Sequence, residues 1–389
     1  MTDVPDPTPD SATDSDSPRV AVVGGGAVGV TAAYDLARRG AEVVVYEKDE
    51  IGGGSTGRAA GVLYDAFAAP EDARVGDRAI ERFREFSGEG DFEFRETPYV
   101  WFAREGDDRR AAAIREQVPR MRDAGRDVSF ADPADLRERF PAVEWSDVDV
   151  AAVAENAGRT DPGTYADLLA EKARAEGAEV RTGVEARLDA DALAVETGDG
   201  ESEPFDAIVV AAGAHTKRVL AVAGIPVPLK PYRVQALTVG FDAERRADLP
   251  MCYDATGGYY LRPHSEGLLA GDGTEEVESD PDDWAREADR EFCEVTRERL
   301  AHRVGDFGAV REAWAGLCVA TPDRDPLLGE LREGLFVAAG WQGHGFMRAP
   351  ALGEATAEAV LGDNPLPEFD PTRFDGDEEF PVVEGMAIE

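Results

Sequence analysis

Cysteine is scarce in this chain: Cys252, Cys293 and Cys318 are all that 389 residues contain. They are too few and too scattered for a disulfide framework or a zinc cluster, so a reducing cytoplasm fits. Histidine is as rare. His215, His264, His302 and His344 show no metal-ligand spacing, and no metal is expected. Lysine is nearly missing, with only Lys48, Lys172, Lys217 and Lys230 among 41 basic residues, against 80 acidic ones and a net charge of −39. That imbalance argues against nucleic acid and anionic membrane as partners, and matches a salt-adapted, halophilic surface whose self-repulsion molar salt would screen. A cation-binding acidic surface is the rival, but no spaced ligand motif supports it. No stretch approaches the roughly 20 apolar residues of a membrane span, and no signal peptide is visible.

What is present begins at residue 19. Residues 19–23 form a short apolar run suited to a parallel strand buried on both faces, and Gly24, Gly26 and Gly29 give the G-x-G-x-x-G spacing as the chain enters a helix. Gly24 permits the turn, Gly26 lets backbone approach a pyrophosphate, and Gly29 lets helix and strand pack closely. Phosphates would then sit at the helix N-terminus, beside Ala27 and Val28. A second strand ends at Glu47, 23 residues after Gly24. The acid that bonds a ribose in this fold lies about 20 residues on. An ordinary strand–turn–helix becomes the minority reading.

Periodicity and punctuation organise the rest. Residues 1–17 are polar and acidic, unable to bury enough apolar surface to order themselves, and are set aside as a tail. The small-residue loop 51–61 suggests a second close approach to the same ligand. Helices are expected over 71–85, 107–125 and 162–176, with strands at 92–95, 99–103 and 179–181. Residues 205–210 read as a buried strand running into Ala212 and Gly213. Alternating runs at 234–239, 258–262 and 268–270, with a helix near 283–303, suggest an antiparallel second domain. The fold class is therefore α/β: a Rossmann-like dinucleotide-binding domain (18–85, 150–220 and 310–374) with an α+β substrate domain (86–149 and 221–309) and a frayed acidic tail at 375–389.

Towards the end stand Trp314-Ala315-Gly316, Thr321-Pro322-Asp323 and Ala339-Gly340-Trp341-Gln342-Gly343-His344-Gly345-Phe346-Met347. With the fingerprint and the loop, these strings resemble the FAD-dependent D-amino acid oxidase superfamily, on the sarcosine oxidase, glycine oxidase and L-proline dehydrogenase β-subunit side. The likeness covers nearly all of the chain after Pro18. It implies an FAD-binding domain and an enzyme that oxidises the C–N bond of a small amino acid by hydride transfer to flavin N5. The implied substrate is a secondary or N-methylated amine such as proline, sarcosine or dimethylglycine. A primary or D-amino acid, or a non-catalytic flavoprotein subunit on the same fold, is the alternative. Implied partners are the amine, an electron-acceptor protein or O2, and further subunits in a homo- or hetero-oligomer.

The cofactor contacts implied are Gly24, Gly26, Ala27, Val28, Gly29, Glu47, Lys48, Ser55, Thr56, Arg58, Ala60, Gly61, Val184, Ala212, Gly213, Gly316, Gly340, Gly343, His344, Gly345, Phe346 and Met347. Relatives with covalent flavin place the attachment cysteine seven residues before the Asp of T-P-D. Gly316 stands there, so non-covalent FAD is expected, with Cys318 a small buried residue. Sarcosine oxidase types also carry lysines where this chain has Met347 and Leu269. For the substrate, Arg262 could pin a carboxylate with its planar fork or serve a structural salt bridge. Tyr260 could face substrate or simply pack. His344 could orient substrate or flavin or cap a helix, and Arg348 could face the pocket or the acidic surface.

Overall fold

The computed structural model of the chain describes residues 17–198 and 200–383. The expected tail at 1–17 falls, except for Ser17, outside the described residues, as does 384–389. Six strands form the first sheet, in the order Leu327–Arg332, Leu335–Ala339, Ala207–Val210, Arg19–Val23, Glu42–Glu47, Glu179–Thr182. All neighbours run parallel except the first pair. Val20, Ala21 and Val22 are fully buried because both faces are covered. On one face pack the helices Ala27–Arg38, Pro162–Ala175 and Gly345–Val360, the last supported by Pro70–Phe86. The other face meets Leu188, Val195 and Phe205 from and beside a three-stranded antiparallel sheet.

The second sheet has eight strands: Val310–Ala320, Lys230–Gly240, Gly267–Asp272, Tyr259–His264, Met251–Asp254, Tyr99–Arg104, Val148–Ala154 and Val128–Ala131. It is antiparallel apart from one parallel pair, Met251–Asp254 with Tyr99–Arg104. One face turns to the first domain through Tyr99, Trp101, Met251 and Tyr253. The opposite face buries Phe102, Leu237, Leu261 and Leu268 under the helix Arg290–Val304.

Several boundaries differ from those read in the sequence. Strand Val310–Ala320 joins the second sheet, pairing with Lys230–Gly240 along almost its whole length. Strand Val148–Ala154 likewise pairs there, with Tyr99–Arg104. The helix expected near 283–303 starts only at Arg290. Residues before it are held extended, since Ala315 N–H donates to Arg286 O at 2.8 Å and Glu287 bridges to Trp314. In place of a strand over 92–95 there is a two-residue one, Arg95–Glu96. The segment 375–383 is docked rather than frayed: Val382 is buried, and Gln342 Nε2 donates to Val383 O at 2.6 Å.

Candidate functional site

The turn after the first strand is built on glycine at three points. Gly24 has φ +119°, and a Cβ there would lie 2.3 Å from Ala211 O. A Cβ on Gly29 would lie 2.0 Å from Gly24 O, so the helix Ala27–Arg38 can lean on the turn only without one. Gly26 caps that helix with no side-chain bond and no acid follows in the first turn, leaving its positive end open to an anion. Thr56 Oγ1 accepts from Ala27 N at 3.0 Å and ties the 51–61 loop to the same end. At the tip of the next strand, Glu47 accepts from Gly25 N at 2.7 Å and Asp49 N at 2.9 Å. Its carboxylate is thereby fixed at the edge of the opening.

This opening continues as a cavity of about 1160 Å³ between the two sheets. At one end it is lined by Glu47, Lys48, Val184, Ala212 and Gly213, and in the middle by Ser55, Thr56, Arg58, Ala60 and Gly61. At the far end come Tyr253, Tyr260, Gly316, Trp341, Gly343, Gly345, Phe346 and Met347. The residues present fit an extended dinucleotide, since the glycine turn and bare helix end suit its pyrophosphate and the cavity exceeds the usual range of 300–1,000 Å³ for ligand pockets.

Around the middle, Ser55 Oγ donates to Leu317 O at 2.7 Å and Trp314 Nε1 to Arg58 O at 3.0 Å, stitching the loop to the second sheet. Arg58 donates to the carbonyls of Gly53 and Gly54. A Cβ at Gly316 would approach Arg58 Cβ to 3.3 Å, so a side chain there would crowd the loop. Cys318, expected to be buried, is half-buried and lines the cavity, two residues along the same strand face. Tyr260 lies across its neighbouring strand: a Cβ on Gly271 would sit 2.1 Å from the Tyr260 hydroxyl. Behind it Tyr64, Tyr99 and Trp101 form a stack, with ring centroids 4.3 and 5.6 Å apart.

Five of the expected site residues do not line the cavity. Gly29 holds helix to turn, as above. Gly340, at φ +83°, has Thr321 where a Cβ would go, so it closes the turn from strand to helix. His344 caps the helix Gly345–Val360 by position and packs edge-on against Phe67, 5.5 Å between centroids. Burial, with Arg348 beside it, pushes its pKa down to about 3, and the ring is neutral at pH 7. Arg348 is buried in an ion pair with Asp72 and reaches neither pocket nor surface. Arg262 is also buried, its Nε donating to Ala60 O and its Nη1 to Pro263 O at 2.9 Å. Arg262 thus grips the loop that frames the cavity, and Arg262→Ala is expected to weaken FAD retention. Equilibrium dialysis should show about a tenfold loss, the scale of one charge-assisted hydrogen bond; unchanged affinity would make that grip irrelevant.

Sequence reading missed the segment 273–289, which crosses the cavity wall with Asp282, Trp284 and Arg286. It also left His215 without a role. His215 lines the cavity with Nε2 3.0 Å from Lys48 Nζ and 2.9 Å from Asp282 Oδ1. The only signal available was the acid-rich composition of 275–289, which by itself names no contact.

The family described as "DAO: FAD dependent oxidoreductase" matches residues 19–359. The chain belongs to this family. It is 28% identical to FAD-dependent oxidoreductase domain-containing protein 1 of Xenopus laevis, over 88% of this chain and 79% of that one. With human mitochondrial dimethylglycine dehydrogenase it shares 27% identity over 92% of its own length, spanning 44% of that longer protein. The structure of L-proline dehydrogenase from P. horikoshii superposes with a TM-score of 0.84 at 29% identity, covering 93% of this chain and 99% of that chain. Glycine oxidase from Geobacillus kaustophilus gives a TM-score of 0.81 at 24% identity, covering 92% and 100%. The protein is an FAD-dependent oxidoreductase, and among the described residues no helix is long and apolar enough to cross a membrane.

Proposed function

We propose that this flavoenzyme oxidises the C–N bond of a small secondary or N-methylated amino acid, with Tyr260 and Tyr253 walling the substrate. The observation that carries the reading is the aromatic share of the cavity lining, to which Tyr253, Tyr260, Trp341 and Phe346 all contribute. Aromatic faces attract alkylated ammonium groups and exclude water from a hydride transfer. Two relatives support the choice by name, the proline dehydrogenase and the dimethylglycine dehydrogenase. FAD supplies the electron sink; the protein binds, orients and keeps the site dry.

Anaerobic mixing of the FAD-loaded protein with a panel of amino acids tests this. Proline, sarcosine or dimethylglycine should bleach the 450 nm band at least about tenfold faster than glycine or D-alanine, roughly 1.4 kcal/mol in the barrier. Faster bleaching by a primary amino acid would overturn the substrate class, and no bleaching by any of them would point to a non-catalytic subunit. The flavin is read as non-covalent because Gly316 offers no thiol and Arg58 fills the space before it. Acid precipitation should leave the yellow colour in the supernatant. Colour in the pellet would implicate Cys318.

A further inference from the structure

Among the described residues four besides glycine adopt a positive φ: Leu193, Asp272, Arg324 and Gln342. Gln342 alone of these is buried. It sits at φ +49° between Gly340 at +83° and Gly343 at +81°, so three of four successive residues turn left-handed. Glycine does this freely; a residue with a Cβ does so only where its surroundings hold it there, and such positions cluster beside ligands.

Three hydrogen bonds do the holding. Gln342 N–H donates to Val319 O at 3.0 Å, and its Oε1 accepts from Thr321 N at 3.3 Å, both at the end of the strand Val310–Ala320. The third bond reaches elsewhere, because Nε2 donates to Val383 O at 2.6 Å in the C-terminal segment. That segment is itself secured. Lys230 Nζ donates to Phe380 O at 2.7 Å and lies 4.6 Å from the centre of the Phe380 ring, while Val382 is buried against Tyr232 and Ala320. None of Lys230, Gln342, Phe380 and Val382 lines the cavity.

The neighbours of Gln342 do line it: Trp341 and Gly343, then Gly345, Phe346 and Met347. His344 N–H donates to Trp341 O at 2.9 Å, and a Cβ on Gly345 would lie 2.8 Å from the Trp341 ring, so the indole, the turn and the helix start move together. The helix Gly345–Val360 has no side-chain cap bond and no acid in its first turn. Its positive end therefore favours negative charge in the cavity, and FAD gains negative charge on reduction. Where the turn stands thus bears on how readily the cofactor is reduced. We infer that Gln342 is a positioning residue for the flavin, through which the C-terminal segment holds the Trp341–Met347 turn against the cofactor and raises its reduction potential. This holds whichever substrate the enzyme oxidises.

The midpoint potential of the FAD-loaded protein, titrated against a reference dye with no substrate present, reads the effect directly. Gln342→Gly keeps the left-handed backbone available and removes both side-chain bonds. It should shift the equilibrium at least tenfold toward the oxidised form, about 30 mV lower for a two-electron couple. Lys230→Gln loosens the segment from a point outside the cavity and should lower the potential by a smaller amount; it decides the matter if Gln342→Gly fails to hold FAD. The double variant should fall no lower than Gln342→Gly alone, because the segment acts through that side chain. A wild-type potential in Gln342→Gly overturns the positioning role. A wild-type potential in Lys230→Gln, or a double variant showing the full sum of both shifts, overturns the part given to the C-terminal segment.

Discussion

Gly29→Ala is expected to give protein with little FAD. The added methyl would sit 2.0 Å from the Gly24 carbonyl oxygen, a backbone atom that cannot rotate aside. Relief requires moving the helix Ala27–Arg38 off the turn, yet its far side is packed against the helices Gly345–Val360 and Pro162–Ala175. Overpacking of this kind costs about 1–3 kcal/mol and sometimes more. Part of that cost falls on the bound state, because the turn and the bare helix end must hold their relative position for a pyrophosphate to meet both. FAD affinity should fall about 100-fold, the equivalent of roughly 2.7 kcal/mol. The ratio of 450 to 280 nm absorbance after gel filtration reads it directly. A variant that keeps wild-type flavin content would show that the helix is free to shift, and the contact with Gly24 would carry no weight.

What could be read in the sequence was local. The fingerprint, the strand ending at Glu47 and the helix Pro162–Ala175 each announce themselves through spacing, a cap or a run of apolar residues within about fifteen positions. The fate of Arg262 and Arg348 could not be read that way. Their partners Ala60 and Asp72 lie 202 and 276 positions away, so only the closed fold brings them together. Arg262 is a candidate for the pocket because its planar fork suits a carboxylate, and Arg348 because it follows the G-H-G-F-M string; both are spent on holding the frame instead. Strand Val310–Ala320 misled for a related reason. It precedes the helix start at Gly345 that lines the cavity, and its neighbour in sequence suggested the first domain, whereas its antiparallel partner is Lys230–Gly240. Tyr260 was legible as a strand position, but its lie over Gly271 depends on a glycine in the next strand.

Reduced enzyme is expected to pass electrons slowly to O2, at least about 100-fold more slowly than to an artificial dye, the behaviour of a dehydrogenase. By the resemblance to sarcosine oxidase types, Leu269 stands at a position where those enzymes carry a lysine. Here Leu269 is buried, directly opposite Arg262 on the neighbouring strand. Negative charge that develops on oxygen as it accepts an electron needs a preorganised positive group close by, and loss of one such group typically costs about 10²–10³ in rate. Of three side chains that could have substituted, two are disabled and the third is partly engaged. Arg262 is drawn back onto Ala60 O and does not line the cavity. His344 is neutral at pH 7, its pKa held down to about 3. Arg58 lines the cavity but commits one end of its fork to the Gly53 and Gly54 carbonyls. Stopped-flow mixing of substrate-reduced enzyme with air-saturated buffer measures the step. Reoxidation as fast as turnover with dye would make this an oxidase, whereas acceleration in Leu269→Lys, with dye turnover unchanged, would trace the slow reaction to the missing charge.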